Sequence, residues 1–354
     1  MGSNGAHTDA KTQRRSPVWE LLIEDARLYP SPHNSQPIKV RPISDTEAEL
    51  YYDKHLGLPA ESFGIPFGQV CAGVFLECFR VTANAQGFAV EESLDFAELD
   101  FTAPGRMHSL GKIHITPHKP TPDERAALQR MRTRRTSRRP YLDRRVPDDV
   151  IRSVQNIAAE SGYRLKHTGD PEHVRQIVRI NQETLFADLE NDDVHAEILA
   201  WLRYSHDEAK QTGDGLSAET MFLPGRLLKF CMQHRRMWTL PVIGNLVRKI
   251  YLNTMRGVHE MAWLEGKFEK PQDFIEAGRT FMRVWLELHR HGVVIHPFGT
   301  VITNPKSHQQ FSKLVDAHEQ DGNFAWMLFR LGYSKYPPQA FRRPGEAMVI
   351  SEVS

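Results

Sequence analysis

At 354 residues the chain can bury a large core, either as two domains or as one fold with two similar halves. Its 45 basic and 44 acidic residues leave a formal charge of +1, which excludes polyanion binding by bulk charge and leaves that task to local clusters. Cys71, Cys78 and Cys231 lack metal-ligand spacing and read as buried thiols in a reducing, cytoplasmic setting. The opening MGSNGAHTDAKTQRRS has no apolar run of a secretory leader, and no apolar segment is long enough to span a bilayer. No membrane partner is expected.

WELLIEDARLY (19–29) has apolar positions at helical spacing, and Pro30 stops the helix. SPHNSQP (31–37) follows. Two prolines restrain a loop offering the polar groups of Ser31, His33, Asn34, Ser35 and Gln36, which suits either recognition of a polar ring or sugar-like chain, or an ordinary capped turn before a strand. IKVRPI and AELYYD read as an antiparallel strand pair. Residues 68–87 predict a closely packed central helix ended by Gly87, with Cys71 and Cys78 as packing residues, since no His and acid accompany either thiol. GFAVEESLDF and IHITPHK supply further strands before Pro120.

A second helix-forming stretch begins at TPDERAALQRM, and another follows around 150–159 with Asp148 as its N-cap. Between them lies RRTSRRPY. If extended, it sets Arg134, Thr136 and Arg138 on one side, where guanidinium and hydroxyl groups suit a phosphate with its polyol; a solvated charge run joining two helices is the alternative. No GxGxxG motif marks a dinucleotide-binding unit. Arg235, Arg236, Arg248 and Lys249 recur around aromatic residues, but without a base-reading module or strong net charge no nucleic-acid partner is expected.

Residues 172–211 predict one interrupted helix or two, and His195 with Glu197 lacks the spacing of a metal-binding pair, so no metal is expected. FIEAGRTFMRVWLELHRHGVVIHPFGTVI (274–302) predicts a buried helix, a stop at Gly292 and a strand. AWMLFRLGY supplies a last strand.

Taken together, SPHNSQP, RRTSRRPY and the terminal FRLGYSKYPPQAFRRPGEAMVI resemble the FMN-dependent nitroreductase superfamily, and their order is most similar to its two-half, Acg-like branch. The resemblance covers about residues 17–350. It implies an α+β fold, a nitroreductase-like mixed sheet with surrounding helices, internally duplicated as a pseudo-dimer: a first half at 17–120 and a second at 121–350. It implies FMN as cofactor, approached by Ser31, His33 and Asn34 from the first half and by Arg134, Thr136 and Arg138 from the second. Arg342 in FRRP takes the place of the family's terminal phosphate-binding arginine. Ile38 stands where relatives carry a bulky aromatic residue, and Thr136 where they carry serine.

By the same analogy, residues 213–260 form a lid that brings Leu216, Met221, Phe222 and Trp238 to the pocket, with two amphipathic helices packed on the scaffold as the alternative. His296 falls on a loop near the flavin, or else serves as a structural histidine. The implied chemistry is oxidoreduction, with NADH or NADPH as donor and a nitroaromatic, quinone or related small molecule as acceptor; an FMN-sequestering or redox-responsive protein is the alternative. One chain as a monomeric pseudo-dimer completes a site.

Overall fold

The computed structural model describes residues 16–236 and 240–352. Apolar spacing builds α1 (Pro17–Ala26), which stops before Tyr29. Tyr29 is instead drawn into the core, and its hydroxyl accepts the amide hydrogen of Ile38 at 3.1 Å. Then follow β1 (Ile38–Pro42), β2 (Glu47–Asp53), the single turn α2 (Pro59–Ser62), and α3 (Phe67–Gln86). Gly87 ends α3 in the left-handed region, as its missing Cβ allows. β3 (Phe88–Leu94) and β4 (Met107–Pro117) complete an antiparallel sheet of order β1-β2-β4-β3.

The chain continues through α4 (Pro122–Thr133), opened by a reciprocal capping box of Thr121 and Glu124, and α5 (Asp148–Glu160). Pro147, rather than Asp148, holds the cap position of α5. β5 (Arg164–Thr168) leads into α6 (Pro171–Asp188), α7 (Asp192–Trp201), β6 (Leu202–Arg203) and α8 (His206–Thr212). Three helices therefore occupy the stretch expected to hold one or two, because Asn191 and Ser205 each cap a new start. β7 (Leu216–Ser217), α9 (Gly225–Gln233) and α10 (Pro241–Asn253) precede β8 (Glu260–Lys267). α11 (Pro271–Arg290), β9 (Val294–Pro297), α12 (Gly299–Thr303), α13 (Pro305–Leu314) and β10 (Asn323–Gly332) follow, giving an antiparallel sheet of order β5-β8-β10-β9.

The two sheets share one plan. In each, two strands lead into a 20-residue helix, a third strand takes the edge, and the fourth inserts between second and third. The two long helices lie against each other at bare backbone: a Cβ on Gly73 would run into the carbonyl of Ile275, and one on Gly278 into that of Val70. Around this contact one apolar core runs without a break, from Trp19, Phe75, Phe79 and Ile113 to Phe281, Trp285, Ile295 and Trp326. Glu77 accepts from Arg283 at 3.2 Å, and Arg279 pairs with Glu92, so charges also cross the seam. After β10 the chain returns to the first sheet, where Lys39 Nζ donates to Ala347 O at 2.6 Å and the Ile350 amide donates to Val40 O at 3.0 Å.

Because no side chain separates α3 from α11, Gly73→Ala must force the helices apart. It is expected to lower stability by about 2–3 kcal/mol, read by urea denaturation, with a parent-like midpoint meaning that the helices part freely.

Candidate functional site

SPHNSQP is bound to two distant segments. His33, Asn34 and Gln36 have φ values of 48°, 58° and 55°, a left-handed run of non-glycine residues that neighbouring contacts must hold in place. Ser31 Oγ accepts the Gln36 amide at 2.9 Å across the loop. Asn34 Nδ2 donates to Gly215 O at 3.2 Å and to Phe341 O at 2.9 Å, while Gln36 Nε2 donates to Gly213 O at 2.9 Å and its Oε1 accepts the Arg343 amide at 3.0 Å. Asp214 pairs with Arg203 at 2.6 Å and also with Arg343. Asn34 and Gln36 thus use their amides to hold the protein together.

RRTSRRPY runs extended along β9. Thr136 bridges Ile295, the Ser137 amide donates to Ile295 O at 3.0 Å, and Tyr141 bridges Ser334. The fully buried Arg330 supports the strand from beneath, donating to Ser137 O and Arg139 O at 3.2 Å each and to Thr254 O at 2.7 Å. The expected alternation is present: Arg134, Thr136 and Arg138 all reach one small polar pocket of about 100 Å³. Ser31, His33, Asn34, Arg135, Gln339 and Arg342 also border it.

Arg132, which also borders this pocket, pairs with Asp25 at 2.7 Å, but the other arginines there lack such an acid. Among the described residues no carboxylate pairs with Arg134, Arg135, Arg138 or Arg342 within 4.0 Å. Arg134 is 5 % exposed, its guanidinium lies 4.2 Å from the centre of the Trp285 ring, and its Nε has no acceptor. Burial pushes Arg134 down to about 9, and burial pushes Arg138 and Arg342 down to about 10, with neighbouring arginines adding to the effect. A buried cation under that pressure is stabilised by any anion that enters.

Next to the cationic pocket lies an apolar cavity of about 430 Å³, and Ser31, His33, Thr136, Arg138 and Leu216 belong to the walls of both. Helices α6, α9 and α10 wall the cavity with Phe186, Leu228, Met232, Val247, Ile250 and Tyr251. Its polar groups are few. His33 Nε2 lies 2.9 Å from the Glu61 carboxylate while His33 Nδ1 is buried without a partner, and both residues face the cavity. His296 also lines it; burial, then Arg138 and Arg330, drive its pKa well down, so the ring is neutral. Cys71 reaches the wall as a thiol kept protonated by burial.

Of the residues expected on a lid, Leu216 and Met221 line the cavity. Phe222 does not. It is 39 % exposed and lies under the Arg139 guanidinium at 5.0 Å, because its left-handed backbone, φ 58°, turns it outward. Trp238 lies outside the described residues. His195 Nε2 donates to Met232 O at 2.9 Å, and Glu197 accepts the amides of Ala60 and Glu61 at 3.0 and 2.8 Å. Both are structural. Sequence reasoning missed Arg135, Gln339, Glu61 and Trp285; Arg135 stood inside the quoted motif, whereas no local pattern singles out Glu61.

No family model matches the chain, and no curated protein matches it. Solved structures similar to it include nitroreductase structures, the family that the loop and arginine motifs resemble. A nitroreductase with bound FMN from Bacteroides fragilis is 9% identical, with 61% of this chain and 92% of that one covered and a TM-score of 0.36. An FMN- and NADPH-dependent nitroreductase from Sphingopyxis sp. strain HMH is 14% identical over 63% and 97% of the two chains, TM-score 0.40. A nitroreductase with bound FMN from Desulfitobacterium hafniense is 14% identical over 60% and 93%, TM-score 0.33. Superpositions this loose leave the function to the site itself.

The amide clasp of Asn34 makes a direct prediction. Asn34→Ala leaves the carbonyls of Gly215 and Phe341 without that donor and should cost about 1–3 kcal/mol, with protease cleavage near residues 213–215 or 341–343 appearing first. An unchanged melting temperature and digestion pattern would remove its structural role.

Proposed function

We propose that this protein is an FMN-dependent oxidoreductase, on the observation that four arginines without an acid partner line a small polar pocket that opens onto a larger apolar cavity. The arrangement matches the two ends of FMN, a phosphate and a planar ring, and the buried Nε atoms of Arg134, Arg135 and Arg342 lack acceptors within the protein. Arg134 and Arg342, assisted by Arg135, would hold the phosphate. Thr136 and Ser31 stand on the shared wall, where hydroxyls meet a ribityl chain, and Arg138 reaches both compartments. When bound, FMN would supply two-electron chemistry between NADH or NADPH and a nitroaromatic, quinone or related acceptor.

The chain's own part is to bind, to orient and to exclude water. Leu216, Met221 and the apolar faces of α9 and α10 remove bulk water from one side of the cavity. His33 Nε2 lies 2.9 Å from the Glu61 carboxylate at the cavity wall, which orients the ring and leaves Nδ1 without a protein partner. His296, being neutral, adds no further charge.

We also infer that residues 17–120 and 121–350 form an internal pseudo-dimer. The shared strand order supports it, as does a site drawing Ser31 and His33 from one half and Arg134, Thr136, Arg138 and Arg342 from the other. A single chain then suffices. Light scattering should find a monomer carrying one flavin.

Purified without added flavin, the protein should be yellow and release FMN, identified by mass, near one per chain. Arg134→Ala with Arg342→Ala should weaken FMN retention by about 100-fold or more, while the ligand-free melting temperature stays level or rises, because two uncompensated cations are gone. A folded double variant that retains FMN like the parent would reject the phosphate assignment. Oxidation of NADH or NADPH with a quinone or nitroaromatic separates an enzyme from a flavin store.

A further inference from the structure

From Glu219 to Glu260 no acidic residue occurs, while Arg226, Lys229, Arg235, Arg236, Arg248, Lys249 and Arg256 do. In a chain whose basic and acidic residues otherwise balance, this is a concentrated positive segment, and it is the one that forms α9 and α10. These helices are apolar on two sides. Inward, Leu228 and Met232 of α9 and Val247, Ile250 and Tyr251 of α10 line the cavity. Outward, Phe230 is 46 % exposed, Val242 82 % and Leu246 57 %, with Leu240 and Leu252 also exposed. Val242, Leu246 and Lys249 fall at i, i+4 and i+7, on one outer stripe of α10. Exposed apolar side chains grouped on one stripe normally face a partner, and nothing among the described residues covers this one.

We propose that the outer face of α9 and α10 docks on the surface of an anionic lipid bilayer. Exposed apolar side chains enter the boundary between headgroups and acyl chains while Arg226, Lys229, Arg248 and Lys249, all exposed, meet the phosphates above it. Charge decides the occupant: Arg235 pairs with Asp192, but the exposed Arg226, Lys229, Arg248 and Lys249 complement a negative surface, and the accompanying Phe, Val and Leu suit lipid better than a hydrated polyanion. Docking differs from spanning. Among the described residues no helix is long and apolar enough to cross a membrane, and a surface-lying pair needs no such length. The absence of a spanning segment, from which no membrane partner was expected, therefore leaves this mode open. The same two helices wall the cavity, which docking brings within a helix diameter of the lipid.

The full-length chain should sediment with vesicles of phosphatidylcholine and phosphatidylglycerol, not with phosphatidylcholine alone, and added salt should release it. Phe230→Ser, Val242→Ser and Leu246→Ser together should lower retention by about ten-fold or more without moving the melting temperature. Lys229→Glu with Lys249→Glu should abolish the preference for anionic vesicles. Failure to sediment with the anionic vesicles, or parent-like retention of the triple variant, overturns the proposal. So does a dimer that the triple variant breaks, or a DNA duplex bound in place of vesicles, which would give the face to a second copy or to nucleic acid.

Discussion

Two 20-residue helices meet at Gly73 and Gly278 with only backbone between them, and every other feature of this protein is placed relative to that contact. Glycine lets the axes approach more closely than any side chain allows, so the two sheets they serve are brought onto one core. The seam draws together what the chain keeps apart. SPHNSQP comes from one side, RRTSRRPY and the terminal arginines from the other, and the candidate site lies where they converge.

The site is held by an unusual division of labour. Amides and backbone do the fastening: Asn34 and Gln36 bind segments 213–215 and 341–343, and Arg330 fixes the arginine strand from below. The remaining guanidiniums are left without acids. In a folded protein a buried cation normally keeps a carboxylate near, as Arg279 does with Glu92. Arg134 instead rests on Trp285 and stays unbalanced, a standing demand for an anion that the fold does not itself meet. The apolar cavity of about 430 Å³ lies beside it and shares Ser31, His33, Thr136 and Arg138 with the polar pocket.

α9 and α10 join this site to the outside. Their inner residues line the cavity, as do Leu216 and Met221 of the segment before them, while Phe222 does not. Their outer residues belong to no core cluster. The pair thus presents one face to the cavity and a basic, apolar face to solvent.

Local pattern was enough for the helices at 67–86 and 271–290, for the cap at Gly87, for the strands of the first sheet and for the alternation of Arg134, Thr136 and Arg138, because each depends on spacing within a few residues; β5 and β8 of the second sheet escaped it. It also brought Ser31, His33 and Arg342 into view as one site, through motifs. Only the tertiary structure decided that Asn34 is occupied in holding two segments, that Arg135, Glu61 and Trp285 face the pockets, and that the two sheets follow one plan. The reason is physical. A residue's neighbours in sequence set its backbone and the face it presents, whereas its partner is chosen by chain that arrives from far away, packed to a precision that no local period encodes.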